Sequence, residues 1–183
     1  LGLGVDSVAF AKAGCFVTGM DVDACAIELA KENSRRFGVS LELLCQNCID
    51  WIAEQPENSY DWIFADPARR SLGKRTSRMP EYEPDLSKHI PALLAIAPQM
   101  LWQVSPMLPI QEAIYKLPHL KKLTVVSLQN ECKEIWLEFQ RNHTGKPVFE
   151  AIWKLRENRF CFSDQIQISV PITQTGNYLL EPD

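Results

Sequence analysis

The stretch that most constrains this chain is residues 60–70, YDWIFADPARR. Trp62, Ile63, Phe64 and Ala65 form an unbroken apolar run of strand length, the pattern of a strand covered on both faces in a parallel sheet flanked by helices. Asp66-Pro67 ends that strand. Proline fixes its own φ and pushes the residue before it toward extended backbone, so the Asp66 carboxylate is held in a narrow range of directions. It stands at the carboxyl edge of a sheet, where open α/β sheets bind their ligands. An ordinary Asp-Pro turn gives the same local pattern, so the rest of the chain has to decide between them.

The decision starts at the other end. Gly2-Leu3-Gly4 precedes an amphipathic segment over residues 7–13, and residues 15–20 read as a strand that ends in Asp21. A glycine turn lets backbone approach a ligand at a helix N-terminus, and an acid at the tip of the following strand can accept both hydroxyls of a ribose. This is a nucleoside-binding layout. Ser7 stands where the dinucleotide fingerprint has its third small residue, and the strand expected before Gly2 is not in the chain.

Between and beyond these points, helices and strands alternate. Residues 23–36 form a helix with Asp23 as N-cap and an end near Gly38; residues 41–46 form a strand and 49–54 a short helix. After the 60–65 strand comes a long polar loop through Pro84, then a helix within 86–97 that Pro91 either kinks or opens. A strand at 100–104, a helix at 110–117 and two strands at 123–128 and 134–139 follow, the last two close enough to pair antiparallel. Lys121 and Lys122 read as the start of a strand, and Glu131, Lys133 and Glu134 as a solvated turn. The expected fold class is α/β: a parallel sheet finished by an antiparallel hairpin. Residues 148–155 and 159–170 alternate like strands, and extension of the same sheet and a separate β-rich unit are both open.

Several function classes are constrained by composition. A chain of 183 residues, 46% hydrophobic, buries one good-sized core. With a net charge of −4, nucleic-acid contact has to come from a local patch. That patch is residues 69–78, RRSLGKRTSR, where Arg69, Arg70, Lys74, Arg75 and Arg78 suit phosphate contacts; a solvated loop is the alternative. No apolar run is long enough to span a membrane. The six cysteines lie scattered on expected strands and helices, which suits free thiols in a reducing cytoplasm. Cys45 and Cys48 make one Cys-x-x-Cys, but His89, His119 and His143 stand apart, so no metal set is expected.

LGLGVDSVAFA, FADPARR, NECKE and the closing NYLLEPD resemble class I S-adenosylmethionine-dependent methyltransferases, and more narrowly the bacterial group with a C-terminal THUMP-like domain. The resemblance runs along nearly the whole chain. It implies a Rossmann-like sheet lacking its first strand, a methyltransferase domain over 1–141, and a β-rich extension over 142–183 leading into a THUMP-like module, so that the chain is expected to be an internal fragment. It also implies that S-adenosylmethionine is held at Gly2, Gly4 and Asp21, with Asp6 toward the ammonium and Asn47 or Cys48 toward the adenine, where the family often has an acid. Asp66 and Pro67 would hold an exocyclic amine of a base in an RNA substrate. Ala68 and Arg69 replace the proline and stacking aromatic of related amine methyltransferases, which leaves a catalytically silent RNA-binding scaffold as the rival reading. A nicotinamide-dependent oxidoreductase would use the same turn but lacks an evident proton donor.

Overall fold

A computed structural model describes residues 1–67, 70–71, 74–75, 80, 82–129, 131–153 and 158–162. The chain divides into two compact units, Leu1–Pro56 and Glu57–Asp183.

The first unit runs α1 (Val5–Lys12), β1 (Thr18–Asp21), α2 (Ala24–Arg36), β2 (Glu42–Cys45) and α3 (Cys48–Glu54). β1 and β2 are parallel, with Thr18 opposite Glu42 and Asp21 opposite Cys45. Asp23 caps α2 as its sequence position suggests, its side chain accepting from the Cys25 amide at 2.9 Å. Ile27, Ala30 and Ser34, three and four residues apart, form the buried stripe of α2. The strand expected over 15–20 shortens to Thr18–Asp21 because its partner β2 offers only four residues. The helix expected from Ser7 starts at Val5, since Gly4, left-handed at φ 74°, turns the chain directly into it.

The second unit carries β3 (Trp62–Ala65), a small ribbon of β4 (Arg70–Ser71) and β5 (Lys74–Arg75), a 3₁₀ turn at Leu86–His89, α4 (Ile90–Ile96), β6 (Gln99–Val104), α5 (Ile110–Lys116), β7 (Leu120–Leu128), β8 (Glu131–Gln140), β9 (Val148–Trp153) and β10 (Asn158–Phe162). Six of these strands form one sheet in the order β10-β9-β7-β8-β6-β3. β3 lies parallel to β6, while β8 inserts between β6 and β7 and runs antiparallel to both. The core lies on one face of this sheet. Met100, Trp102 and Val104 of β6 alternate inward opposite Phe139, Leu137 and Ile135 of β8, and all six are at most 2% exposed. The Trp102 and Phe139 rings meet at 4.6 Å, tilted by 52°. α4 packs on β6 and buries Ile90, Leu93 and Leu94.

On the other face β7 is tied to both neighbours by charge. Lys122 Nζ lies 3.2 Å from Glu138 and 3.5 Å from Glu150, and Thr124 Oγ1 donates to Glu150 at 3.2 Å. β9 joins β7 in parallel and β10 pairs with β9, so residues 148–153 and 158–162 extend the same sheet, while residues 163–170 of the expected last strand lie outside the described residues. Lys121 and Lys122 therefore lie within β7. Glu131, Lys133 and Glu134 belong to β8 instead of a turn, because Gln129, left-handed at φ 56°, tightens the reversal and lets the ladder run to its ends.

The polar loop before Pro84 contains the β4–β5 ribbon. Of the two roles open to Pro91, it opens α4, since its missing N–H falls among the unpaired amides of the first turn. β3 is the end strand in the sheet order, so Trp62 is 50% exposed and the run is less covered than its apolar composition predicts.

Candidate functional site

In the first unit the predicted residues gather around one carboxylate. Asp21 Oδ2 accepts from the Gly2 amide at 3.0 Å, and Oδ1 accepts from the Asp23 amide at 3.0 Å. A carboxylate has about four lone-pair positions, and the Leu1 nitrogen also lies 3.4 Å from Oδ2, so a free position remains on Oδ1. The group is thus fixed in direction and can still accept a hydroxyl. Partial burial acts upward on the Asp21 carboxyl, but the amides of Asp23 and Gly2 hold it below the usual carboxylate range. It is an anion at neutral pH.

The two glycines have different reasons. Gly2 has φ 54°, and a Cβ there would meet nothing within 4 Å, so this turn leaves room for a ligand. Gly4 is buried, and a Cβ there would stand 3.0 Å from the Ala30 Cβ, so its smallness is what lets α1 approach α2. Gly19, which sequence reasoning missed, is closer still: a Cβ would come within 2.8 Å of the Leu1 side chain and 3.1 Å of Leu43. A glycine inside a strand that leads to a site acid was the available signal. Asn33 was also missed; its Nδ2 donates to the Leu3 carbonyl at 2.9 Å and braces the turn from α2.

Asp6 is exposed in the first turn of α1, where a negative charge complements the helix dipole. The Gln46 amide donates to the Asp21 carbonyl at 3.0 Å, which brings the end of β2, and with it Asn47, to the Asp21 edge. Asn47 caps α3: its Oδ1 accepts from the Ile49 amide at 2.9 Å, leaving one lone pair and the Nδ2 donor. Cys48 follows as the first residue of that helix. Burial pushes its thiol up, opposing the thiolate character a redox pair needs, and both it and Cys45 are free thiols. Between Asp21 and Asp23, Val22 is 71% exposed, an apolar surface beside the carboxylate.

In the second unit, Asp66 is exposed immediately after β3 and Pro67 behind it is buried. The pair leaves the carboxyl edge of β3 beside β6, since Ala65 is opposite Trp102 in the parallel register. In the ribbon, Arg70 pairs with Arg75 and Ser71 with Lys74. Arg69 and Arg78 lie outside the described residues. Among the described residues no cluster of three or more metal-ligating side chains occurs, and no helix is long and apolar enough to cross a membrane.

No protein-family model matches the chain, and no curated protein matches it in sequence. Solved structures do match. A candidate methyltransferase of Porphyromonas gingivalis W83 superposes with a TM-score of 0.70 at 23% identity, over 88% of this chain and 42% of that one. A predicted O-methyltransferase of Agrobacterium tumefaciens gives 0.57 at 15% identity, covering 82% of this chain and 75% of the other. A SAM-dependent methyltransferase of the same organism gives 0.55 at 17%, covering 76% and 53%. The fold is the Rossmann-like α/β fold of these methyltransferases, and the chain spans less than half the length of the Porphyromonas protein.

Proposed function

We propose that this chain is the catalytic part of an S-adenosylmethionine-dependent methyltransferase that acts on an exocyclic amine of an RNA base in the cytoplasm. The observation that carries the reading is the Asp21 carboxylate, fixed by the amides of Gly2 and Asp23 beside an open glycine turn. Its remaining acceptor position on Oδ1 fits a ribose hydroxyl. The space over Gly2 suits the amino-acid part of the cofactor, with Asp6 toward its ammonium, while Val22 would offer an apolar surface to the adenine, and Asn47 and the Cys48 amide would hold its edge. Its sulfonium supplies an electrophilic methyl group when bound.

The work left to the chain is positioning, which can contribute most of the acceleration of a displacement. Asp66 accepts from the acceptor amine and so orients the nitrogen lone pair, while Pro67, buried behind it, restricts the Asp66 backbone. As the C–N bond forms and the methyl–sulfur bond breaks, leaving its electron pair on a neutral thioether, the nitrogen gains positive charge. The fixed anion stabilises that charge more than it stabilises the neutral amine, which is the condition for lowering the barrier. The proton then leaves to Asp66 or water.

The basic ribbon supports an RNA partner. The backbone register sets Arg70 opposite Arg75, which groups basic residues on one short ribbon, a composition suited to backbone phosphates. Arg69, Lys74 and Arg78 extend the same run of charge in sequence. The resemblance to THUMP-bearing enzymes points to RNA as well.

The test is transfer of a labelled methyl group to total RNA from a strain lacking the gene. Wild-type full-length protein should label RNA, and Asp66→Asn should lower turnover while cofactor affinity stays unchanged. Transfer by Asp66→Asn at the wild-type rate would remove Asp66 from catalysis. Failure of the wild type to label any RNA would favour the silent-scaffold reading.

A further inference from the structure

The Asp66 turn lacks the aromatic side chain on which a planar acceptor would stack, and the neighbouring strand supplies a different apolar surface. β6 ends at Val104, and the loop after it, Ser-Pro-Met-Leu-Pro at 105–109, leaves the same carboxyl edge as Asp66 because β3 and β6 are parallel. Adjacent strands lie about 4.8 Å apart, and Asp66 follows directly on the Ala65–Trp102 pair, so the loop after β6 starts on the neighbouring strand two residues beyond the level of Asp66.

This loop is tied down at both ends and in the middle. The Ser105 amide donates to the hydroxyl of Tyr82 at 3.2 Å, and Tyr82 itself is 3% exposed. Ser105 Oγ accepts from the Met107 amide at 3.2 Å, and the Leu108 amide donates to the Ser105 carbonyl at 3.0 Å. Leu108 is 5% exposed and anchors the loop in the core. Prolines at 106 and 109 restrict φ on either side. Against this rigid frame Met107 is 76% exposed. An isolated surface methionine would need no explanation. This one is held out on a buried tyrosine and serine, at the same carboxyl edge, on the strand neighbouring the one that carries the acid proposed to hold the acceptor.

Resting on the reading above, we propose that Met107 is the stacking platform for the acceptor nucleobase, in place of the aromatic missing after Pro67. A thioether makes favourable contacts with an aromatic ring and adapts to its tilt. Asp66 takes the amine at the ring edge and Met107 covers the ring face. Tyr82 and Ser105 are positioning residues, acting through the backbone of the Met107 loop.

The probe is a single-stranded RNA oligonucleotide carrying one 2-aminopurine, whose fluorescence falls when the base stacks, with an abasic oligonucleotide of the same length as control. Quenching by the wild-type full chain should be lost in Met107→Ala, with affinity weakened about two- to tenfold, the range of a sulfur–ring contact. Met107→Phe should restore quenching, and the abasic oligonucleotide should bind wild type and Met107→Ala alike. Melting temperature should not move, because the side chain is exposed. Equal quenching by wild type and Met107→Ala overturns the platform while leaving the methyltransferase reading intact. An equal loss of abasic binding in Met107→Ala also overturns it, since the residue would then act through the backbone of the RNA. If wild type neither quenches 2-aminopurine nor labels RNA, the platform and the RNA reading fall together.

Discussion

Gly4→Ala should destabilise the first unit by about 1 to 4.5 kcal/mol, from two separable costs less one offset. Gly4 has φ 74°, a conformation that costs an alanine about 1 to 2 kcal/mol. The new Cβ would also meet the Ala30 Cβ at 3.0 Å and its Cα at 3.4 Å, and Ala30 is fully buried, so the clash can be relieved only by moving α1 off α2. Overpacking of this kind costs about 1 to 3 kcal/mol. The reduced freedom of the unfolded chain offsets part of the sum, by about 0.4 to 1 kcal/mol. Ala30→Gly removes the closer contact at a helix-propensity cost of about 1 kcal/mol, so the double variant should be more stable than the two single effects predict, by about 1 to 3 kcal/mol. Gly2→Ala, with open space around it, should lose only the backbone part. Native-state hydrogen exchange over α1 and α2, followed by mass spectrometry, reads these local stabilities directly. A Gly4→Ala protein within about 0.5 kcal/mol of wild type, or additive single and double effects, would refute the close-packing argument.

Glu138→Gln tests the charged ladder across β8, β7 and β9. Burial acts upward on the Glu138 carboxyl, but Lys121 and Lys122 hold it below its ordinary 4.5, so its contribution is present above that value and lost as pH falls through the lower folded one. Burial acts downward on Lys122, but Glu138 and Glu150 raise it above its ordinary 10.5, so that share is present below 10.5 and lost as pH rises through the folded value. Urea midpoints measured across both ranges should flatten at the acid and alkaline ends in Glu138→Gln; unchanged slopes would remove the ladder as a source of pH dependence. Arg141→Ala should cost about 1.5 to 3 kcal/mol by urea denaturation, because the guanidinium donates to the carbonyls of Leu94 and Ala95 at the end of α4 and to Asn58 Oδ1. A change below about 0.5 kcal/mol would mean that water replaces those bonds at no loss.

The elements that announced themselves in the sequence are those with local causes. Asp23 ahead of an apolar stripe marks α2, Asp66-Pro67 marks the end of β3, and the polar reversal near Gln129 marks the β7–β8 hairpin. Strand order is non-local and was harder. Nothing in the periodicity of β8 says that it enters between β6 and β7, and the parallel attachment of β9 depends on Lys122 reaching Glu150 across 28 positions of chain. The same division runs through the candidate site. Asp21 was legible because a glycine turn and a strand-ending acid occur together. Asn33 was not, since a mid-helix amide gives no sign that it will brace a turn 30 residues earlier. Asn47 was legible as a strand-end polar residue but not as the cap of α3, which takes one of the acceptor positions that an adenine amine would use.

The most direct measurement is calorimetric titration of the full-length protein with S-adenosylmethionine, wild type against Asp21→Ala, with NAD titrated in parallel. The Asp21 carboxylate, already oriented by Gly2 and Asp23, should contribute about 1 to 3 kcal/mol to binding, so Kd should rise roughly 5- to 160-fold in the variant while NAD shows no binding to either. Equal affinity in wild type and Asp21→Ala, or tighter binding of NAD than of S-adenosylmethionine, would contradict the account.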